Sequence, residues 1–515
     1  MKESMFSVSK VVSLVNSGYE SIKKLILFFV ALLYVITAYN SMGMYYADEH
    51  FQIVEFANYR LGVNSLNDMA WEYDAKIRPS IQPVICYFLI KLFGFFSIKN
   101  PYIISFGFRL LTGFLSLMAI VYFIRKTEFH FTKKKDKLLY YLISGFLCFL
   151  AFLNVRFSSE AWSSLFMVFA VGLILSNKEK NLNLYFIGLL FGFAFLFRFQ
   201  TVFSFMGILV WCILIMKMKW TEIIKLIGAF GIILILGTVL DFWFYGSFVL
   251  TPYNYFYKNI IEGVASNYGI QPWYFYVETM IMKPIVFIGL PITVSLIYFF
   301  IKYPRHVITW VAFPFILMHS LVGHKEFRFL FPLANFVPFV IMVAIHKNEI
   351  KFRKGSLKSL MIGLVVVVNT LMLIVYSLKP AGAGRLIPSK YLYENYQDEE
   401  ILLVHEKEDF AFTHEKWGFS MKFYEQKNIE TKSLQSLDSL TSVISESQKI
   451  IFLLVSKENL DNAGENIDED NWELVTESMP LKLRWIRMFE DYGLNIPRTG
   501  EFLLLYRLID NKIKE

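Results

Sequence analysis

The sequence predicts an all-α polytopic membrane protein with about eleven transmembrane helices, followed by a small C-terminal α/β extracytoplasmic domain. Of its 515 residues, 56% are hydrophobic and only 18% are charged, a balance that is uncommon in soluble domains. The apolar residues cluster in stretches that are nearly long enough to cross a hydrocarbon core; examples are 25–39, 103–124, 226–240 and 360–376. The net charge of +8 resides in short loops between these stretches, which indicates membrane topology rather than binding of nucleic acid.

Basic loops mark the cytoplasmic side of a membrane protein. They place there residues 1–24, 125–137, 177–180, 217–219, 302–305 and 347–354. The loop 125–137 stays inside only if residues 83–96, a short stretch with Lys91 at its middle, form an interfacial or re-entrant helix instead of a span. The predicted spans are 25–41, 103–124, 138–153, 161–176, 184–197, 202–216, 226–240, 281–301, 307–322, 329–346 and 357–378.

The same assignment predicts a transmembrane module at 25–378 and an extracytoplasmic domain at 379–515. Four polar segments of the module then lie outside, at 41–82 (with an outer loop at 42–82), 154–160, 241–280 and 323–328. In the C-terminal domain, short apolar runs alternate with acidic, turn-rich stretches, which is typical of a mixed α/β fold. These runs are 401–404, 450–455 and 502–506.

Two carboxylates and an imidazole, those of Asp48, Glu49 and His50, directly follow the first predicted span. They could form a solvated cap above the membrane, since adjacent acids are common at helix ends. They could also present a general base to an incoming hydroxyl. Charges held this close to lipid usually have a function, so both interpretations are kept.

A second charged cluster reads His324, Lys325, Glu326, Phe327, Arg328 and Phe329, and it lies between two apolar stretches. Cations at the outer interface oppose the positive-inside tendency. They therefore predict an anionic partner, for which a lipid phosphate is the obvious candidate, although a solvated turn is the simpler alternative. Arg156, Glu160 and Arg198 also lie at outer span ends, where each alone could be a snorkelling residue.

Aromatic side chains are concentrated between residues 241 and 276, among them Trp273 and Tyr274. Such residues often form an interfacial belt. Their rings can also stack on the faces of sugars, so Trp273 and Tyr274 are candidate substrate-binding residues.

The motif residues follow a characteristic order along residues 25–380. They are Asp48-Glu49, Trp71-Glu72-Tyr73, Ile77-Arg78, 241–246, 251–254, 268–276 and 324–332. In this order the sequence resembles the dolichyl-phosphate-mannose-dependent mannosyltransferases, glycosyltransferase family 22 of the GT-C superfamily. The His-Lys-Glu-x-Arg-Phe element is the most specific part. Gln271 stands where anchor-pathway members often have His, and Phe327 replaces an often charged residue; both departures concern the acceptor.

The resemblance implies an inverting transfer of mannose or a similar hexose from a polyprenyl- or dolichyl-phosphate carrier to a lipid-linked glycan or glycolipid, on the extracytoplasmic face. It implies that Asp48, alone or with Glu49, is the base. It also implies that four cationic residues hold the lipid phosphate; they are Arg78, His324, Lys325 and Arg328. Glu326, which lies between Lys325 and Arg328, is counted with the substrate-binding residues.

The sequence predicts no cofactor and no metal site. The resemblance implies no cofactor, and a metal is dispensable if cations supply the field. Cys86, Cys148 and Cys212 lie in apolar stretches without a CxxC pair, which predicts neither a disulfide nor a metal site. Membrane lipid is an expected partner, and nucleic acid is not.

Two other classes of protein and two compartments are alternatives for this sequence. A transporter or flippase of lipid-linked sugars predicts internal repeats and interrupted helices at the midplane, which the sequence does not show. A receptor that binds through its C-terminal domain leaves the outer-loop charges unexplained. The chain has no Asn-x-Ser/Thr site, which favours a bacterial inner membrane, with the endoplasmic reticulum membrane as the eukaryotic alternative.

Overall fold

The computed structural model describes most of the chain in two compact units. The described residues are 2–176, 183–346, 356–406, 413–414, 419–434, 440, 448–457, 460, 467, 470–479, 485 and 502–509. The first unit comprises Met1–Tyr39 and Arg109–Ser377, and the second comprises Asn40–Phe108 and Leu378–Glu515. The second unit thus combines residues 40–108, which include the predicted outer loop 42–82, with the C-terminal segment, while the predicted domain boundaries stay a proposal. The predicted cytoplasmic loops 177–180 and 347–354 lie outside the described residues.

Helices make up nearly all of the transmembrane module. The α-helices, in chain order, are α1 Lys2–Asn40, α2 Asp48–Phe51, α3 Val54–Arg60, α4 Trp71–Asp74, α5 Ile81–Phe95, α6 Pro101–Thr127, α7 Lys134–Phe146, α8 Leu150–Val155, α9 Ser159–Ser176, α10 Leu184–Phe197, α11 Val202–Leu214, α12 Trp220–Tyr245, α13 Thr251–Phe256, α14 Phe275–Met282, α15 Val286–Lys302, α16 Val307–Leu321, α17 Val337–His346, α18 Ser356–Leu378 and α19 Leu386–Asn395. A 3-10 segment, Phe327–Phe336, leads directly into α17.

In the part of the chain that the structure describes, six helices are long and apolar enough to cross a membrane. They are Gly18–Asn40, Pro101–His130, Ser159–Ser176, Trp220–Tyr245, Phe327–His346 and Ser359–Leu378. Helices α15 and α16 are bent by 117° at their connection and count as a seventh if they form one span. The predicted polytopic all-α class is confirmed. The count is below eleven because other predicted spans form short apolar helices, including α10 and α11.

The predicted span 138–153 is interrupted. Helix α7 ends at Phe146 and α8 begins at Leu150, which frees backbone groups that lipid cannot satisfy. Asn369 on α18 supplies the missing partners: its side-chain oxygen accepts from the Cys148 N–H at 3.0 Å, and its amide donates to the Phe146 carbonyl at 2.8 Å. One polar side chain from a distant helix therefore stabilises the break.

Helices α10 and α12 approach each other closely along a small-residue face. A Cβ atom on Gly188 would lie 2.3 Å from the carbonyl oxygen of Leu226, and one on Gly192 would lie 2.7 Å from the Cβ of Ile233. The two glycines are four residues apart, so they share a helix face. This is the small-xxx-small arrangement that lets helices pack tightly in a membrane.

The predicted C-terminal α/β domain is confirmed, and its described residues contain a mixed five-stranded sheet and a separate antiparallel pair, β2 and β3. The strands are β1 Ile401–Glu406, β2 Thr413–His414, β3 Phe419–Ser420, β4 Ile429–Leu434, β5 Ile450–Ser456, β6 Trp472–Glu477 and β7 Leu503–Leu508. The sheet order is β4-β1-β5-β7-β6, with β1 parallel to both neighbours and β7 antiparallel to both of its own. The three predicted apolar runs form β1, β5 and β7, the central strands.

Helix α5 contains nearly all of the stretch predicted to be interfacial or re-entrant. Its 15 residues fall short of the roughly 20 that span a bilayer. The Lys91 ammonium nitrogen lies 4.6 Å from the centre of the Tyr87 ring, an arrangement that accommodates a charge beside an apolar face. The placement of α5 in the interface stays a prediction.

Candidate functional site

In the second unit, the Asp48 carboxylate lies beside the Arg78 guanidinium. Arg78 Nη2 is 3.7 Å from Asp48 Oδ2 and 3.7 Å from Glu72 Oε1, and the amide of Gln52 donates to the same Glu72 oxygen at 2.8 Å. The Asp48 side chain is 27% exposed. The structure therefore brings two predicted site residues, Asp48 and Arg78, together at an accessible position next to a buried acid.

Glu72 differs from Asp48 in its surroundings. Burial raises the pKa of Glu72; the charge of Arg78 opposes this rise, and that of Asp48 adds to it. Arg78 Nη2 nevertheless lies equally close to both carboxylates, at 3.7 Å from each. Asp48 and Glu72 therefore share one guanidinium group, an arrangement that the acidic loop sequence did not reveal.

Glu49 has a local structural role that separates it from Asp48. Its carboxylate oxygen Oε2 accepts a hydrogen bond from the Tyr45 backbone N–H at 3.0 Å. This bond closes the turn that leads from α1 into α2. Of the two adjacent acids, Glu49 is thus fixed by its own backbone, whereas Asp48 faces Arg78.

Glu55 is the hydrogen-bonding centre beneath this loop, with only 1% of its surface exposed. Its Oε1 lies 2.6 Å from His50 Nε2 and accepts from the Phe423 N–H at 3.1 Å. Its Oε2 accepts from the amides of Asn58 at 3.2 Å and Asn64 at 2.8 Å. Both oxygens are therefore used as acceptors by groups from the outer loop and the C-terminal segment.

The C-terminal segment also packs against the loop and against the start of α6 through aromatic rings. The imidazole of His50 is stacked on Tyr424 with ring centres 5.5 Å apart, and Phe423 is stacked on Phe108 at 6.4 Å. His50, which the sequence placed beside two candidate acids, is buried and paired with Glu55. Sequence reasoning missed these partners because no local pattern links positions 55 and 423.

Replacing Glu55 with glutamine should destabilise the protein with little change in side-chain shape. In glutamine an NH₂ group replaces one of the two carboxylate oxygens, and this group would face the N–H donors from which Glu55 now accepts hydrogen bonds. At least one of these buried donors would lose its acceptor, which lowers the free energy of unfolding by about 1–3 kcal/mol for each lost bond. Thermal unfolding in detergent should show a clearly lower Tm. Glu425→Gln is the matched control, because Glu425 is 51% exposed in its pair with Lys422 and should change the Tm little. Equal Tm values for the two variants would contradict the role of Glu55.

In the first unit, Arg328 forms a two-point ion pair within its own motif. Its Nε lies 2.7 Å from Glu326 Oε2, and its Nη2 lies 3.0 Å from Glu326 Oε1. His324 Nε2 is 3.2 Å from the same Oε1 atom. Such bidentate geometry fixes the plane of a guanidinium group. Arg328 is thereby held in one orientation before any ligand binds.

The charges of this motif reinforce one another. The hydrogen bond with Glu326 raises the pKa of His324, although burial opposes the rise. Burial would raise the pKa of Glu326, but His324 and Arg328 outweigh it and lower that pKa to about 2. Glu326 is accordingly ionised at neutral pH, and the imidazolium form of His324 is favoured.

A second buried carboxylate links Arg328 to Arg198. Glu160 Oε1 lies 2.8 Å from Arg198 Nη1 and 3.8 Å from Arg328 Nη1. The Arg198 guanidinium also lies 4.9 Å from the centre of the Phe329 ring, a cation–π arrangement. Arg198 and Glu160, which singly could have been snorkelling residues, thus belong to one buried cluster with Arg328.

Lys325 connects the motif to the aromatic segment that includes Trp273 and Tyr274. Its ammonium donates to the Gln271 carbonyl at 2.7 Å, and burial lowers its pKa. The Gln271 N–H donates to the Gly323 carbonyl at 3.0 Å, and His324 Nδ1 lies 3.0 Å from the Gly269 carbonyl. Two elements that the sequence presented as separate constellations are therefore joined by backbone contacts.

Trp273 and Tyr274 follow this junction and project from the surface. They are 72% and 49% exposed, and their ring centres lie 5.8 Å apart at 88°. The geometry fits an interfacial belt as well as a sugar platform. Their predicted part in substrate binding stays a prediction.

A buried amide pair supports the 3-10 segment that carries Arg328. Asn154 and Asn335 exchange side-chain hydrogen bonds of 3.0 and 2.9 Å. Asn335 also donates to Ser164, and Asn154 donates to the Tyr34 hydroxyl, each at 3.0 Å. Satisfied polar networks of this kind specify a single packing arrangement.

The fold and these clusters define a polytopic membrane protein that carries buried charged side chains. The solved structure of ArnT from Cupriavidus metallidurans bound to undecaprenyl phosphate has a similar fold, with a TM-score of 0.54 over 95% of this chain and 99% of that chain, at 10% identity. That likeness concerns the fold alone. The chain belongs to the Alg9-like mannosyltransferase family, whose model matches residues 25–394.

Several curated proteins are similar over much of this region. GPI mannosyltransferase 3 of Candida albicans is 24% identical over 65% of this chain and 67% of its own length, and that of Debaryomyces hansenii is 25% identical over 68% and 64%. The GPI alpha-1,2-mannosyltransferase 3 of Bos taurus is 22% identical over 61% and 57%. The chain therefore matches about two thirds or less of these relatives. Family membership confirms the predicted enzyme class, a mannosyltransferase.

Proposed function

We propose that this enzyme transfers mannose, with inversion, from a polyprenyl-phosphate carrier to a lipid-linked glycan on the extracytoplasmic face of its membrane. The observation that carries the proposal is the buried cluster around Arg328. Among the described residues, the guanidinium groups of Arg198 and Arg328 pair with the carboxylates of Glu160 and Glu326. His324 also contacts Glu326, and Lys325 of the same motif adds a further positive charge. This excess of positive charge at span ends suits a phosphate that gains charge as it leaves.

The proposed step conserves atoms and charge. An acceptor hydroxyl oxygen attacks the anomeric carbon of mannose, and the bond from that carbon to the phosphate oxygen breaks. The phosphate leaves on the opposite face with the bonding electron pair, so the β linkage of the donor becomes an α linkage. The hydroxyl proton passes to the Asp48 carboxylate.

The residues of the two units have different parts in this proposal. Asp48 is the base, since its carboxylate faces Arg78 at an accessible position, whereas Glu49 is used by the backbone of Tyr45. Arg328 is the main phosphate ligand, held ready by Glu326. Lys325 and His324 shape that motif and add to its charge.

The acceptor and the compartment are taken from the relatives as proposals. Their names favour a glycolipid-anchor intermediate as acceptor, and the cattle protein is named for an α-1,2 linkage. These relatives come from eukaryotes, which favours the endoplasmic reticulum membrane and gives no support to the bacterial inner membrane predicted from the sequence. Membership of an enzyme family leaves the flippase alternative without support.

The proposed topology predicts opposite labelling at two exposed positions. In a variant whose buried cysteines Cys86, Cys148 and Cys212 are replaced by alanine, a cysteine at Ser65 should react with an impermeant thiol reagent from the extracytoplasmic side. A cysteine at Thr132 should react only from the cytoplasmic side. The reverse pattern would overturn the proposed face of catalysis.

The same assay tests α5, which is proposed to lie in the interface. Cysteines at Asp74 and Lys99, exposed positions on the two flanks of the helix, should then label from the same side. Labelling from opposite sides would show that α5 crosses the membrane. One further predicted span would then have to be removed or added to keep the loop 125–137 on the cytoplasmic side.

Direct transfer assays test the reaction itself. The purified chain in detergent should move radiolabelled mannose from dolichyl-phosphate mannose or undecaprenyl-phosphate mannose to a mannose-terminated glycolipid. The product should be sensitive to an α-1,2-specific mannosidase. GDP-mannose is the control donor and should give no product. Transfer from GDP-mannose alone would refute a lipid-phosphate donor.

A further inference from the structure

Four side chains that bear guanidinium or imidazole groups surround the ring of Phe329 in the first unit. The guanidinium carbons of Arg198 and Arg328 lie 4.9 and 5.7 Å from the centre of this ring. The imidazole centres of His324 and His319 lie 5.8 and 6.0 Å from it. His319, which no step of the proposed function uses, therefore lies beside the residues that are proposed to hold the donor phosphate.

The imidazole of His319 has one nitrogen fixed as a hydrogen-bond donor. The residue lies in the last turn of α16 and is 5% exposed. Its Nδ1 atom is 2.7 Å from the Phe315 carbonyl oxygen. Because a carbonyl oxygen only accepts hydrogen bonds, Nδ1 carries a hydrogen atom. In the neutral ring the other nitrogen, Nε2, then has a lone pair and can only accept.

This Nε2 atom is buried and has no hydrogen-bond partner among the residues that the structure describes. The imidazole is flanked by four aromatic rings, whose centres lie 4.3 to 6.4 Å from its own; they belong to Phe203, Tyr276, Phe315 and Phe329. The Tyr276 hydroxyl forms no hydrogen bond with Nε2. Buried polar atoms without partners are costly and rare in native structures. We therefore expect Nε2 to accept a hydrogen bond from a bound hydroxyl group.

Arg198 supplies a complementary donor in the same cluster. Its Nη1 atom donates to Glu160 at 2.8 Å and to Ser159 at 3.3 Å. Its Nε–H is also buried, and no acceptor for it lies in the described part of the chain. Sugar hydroxyl groups can accept from Arg198 and donate to His319. A phosphodiester offers only acceptor oxygens, so it matches Arg198 but not the lone pair of His319.

We propose that His319 and Arg198 form a polar subsite for hydroxyl groups of the donor sugar. The inference rests on the proposed function and deepens it by naming the residues that recognise the sugar. That sugar is bonded directly to the phosphate, so its hydroxyl groups lie within one ring of the group that Arg328 holds. A buried acceptor rejects a ligand that lacks the matching hydroxyl, because the Nε2 of His319 is then left unpaired.

Binding of two carriers tests the subsite without requiring turnover. His319→Leu removes Nε2 at similar volume. It should weaken binding of polyprenyl-phosphate mannose about five- to a hundredfold, while the Kd of polyprenyl phosphate without sugar stays within about twofold. His319→Gln places an amide oxygen near the position of Nε2 and should recover much of this loss. Ser320→Ala is the matched control, because the Ser320 hydroxyl donates to the Ile316 carbonyl of its own helix at 2.8 Å, and both Kd values should stay unchanged.

Deoxy donors test the same subsite on the parent protein, in which no substitution can disturb folding. The probes are polyprenyl-phosphate mannoses that each lack a different hydroxyl group. At least one should bind the parent about five- to a hundredfold more weakly than the complete donor, and this difference should shrink to about twofold or less in His319→Leu. Equal weakening of both carriers in His319→Leu, or differences among the deoxy donors that His319→Leu leaves unchanged, would overturn the subsite and retain the proposed function. A parent protein that binds neither carrier would overturn the proposed donor and the subsite with it.

Discussion

Replacing Asp48 with asparagine should remove mannose transfer while leaving donor binding nearly intact. The amide keeps the shape of the side chain but cannot accept the hydroxyl proton, and loss of a positioned base costs about a hundred- to ten-thousand-fold in rate. The measurement is kcat for transfer from polyprenyl-phosphate mannose, together with the donor Kd. The Tm of the variant must also be recorded, since Arg78 loses the charge that faces it.

Glu49→Gln is the matched control for Asp48→Asn. The glutamine oxygen can still accept the Tyr45 N–H that Glu49 accepts, so the turn into α2 is kept and the rate should fall much less. A dead Glu49→Gln enzyme together with an active Asp48→Asn enzyme would exchange the two assigned roles. Equal and small losses of rate in both variants would show that the general base is not in this loop.

Replacing Arg328 with alanine should lower kcat/KM for the donor by roughly thirty- to a thousand-fold. One charge-assisted contact to the leaving phosphate in a partly desolvated site corresponds to about 2–4 kcal/mol at the transition state. Arg328→Lys should recover only part of this, because lysine supplies a point charge in place of a planar fork. Glu326 already bonds Nε and Nη2, so Arg328 contacts phosphate through Nη1 or by exchange with Glu326.

The control for the Arg328 variants must separate lost catalysis from lost structure. Lys258→Ala removes a cation from an exposed pair with Glu262 in the same unit, and it should leave both the Tm and the rate nearly unchanged. Donor kcat/KM should be compared among variants whose Tm lies close to that of the parent. If a folded Arg328→Ala protein transfers mannose at the parent rate, the cluster is a structural turn. The phosphate would then be bound by Arg78 or Arg156.

The sequence by itself determined the membrane class, the family and the positions of three C-terminal strands, β1, β5 and β7. Hydrophobic runs and alternating short strands are local properties, so they can be recognised without knowledge of packing. The order of the charged motifs likewise indicated a family of mannosyltransferases, and the match to the family model confirms that class. The candidate acids and cations could be singled out from the sequence because few charges are tolerated near lipid, and their roles stay predictions.

Only the tertiary structure decided what those charged residues touch. Glu55 receives a hydrogen bond from Phe423, 368 positions away, and Glu160 is shared by Arg198 and Arg328 from separate helices. Asn369 forms hydrogen bonds with the backbone groups that are freed at the break after α7, although it is more than 200 residues away in the chain. Each contact exists because burial forces polar groups to find partners, and the identity of a partner depends on which helices the packing brings together.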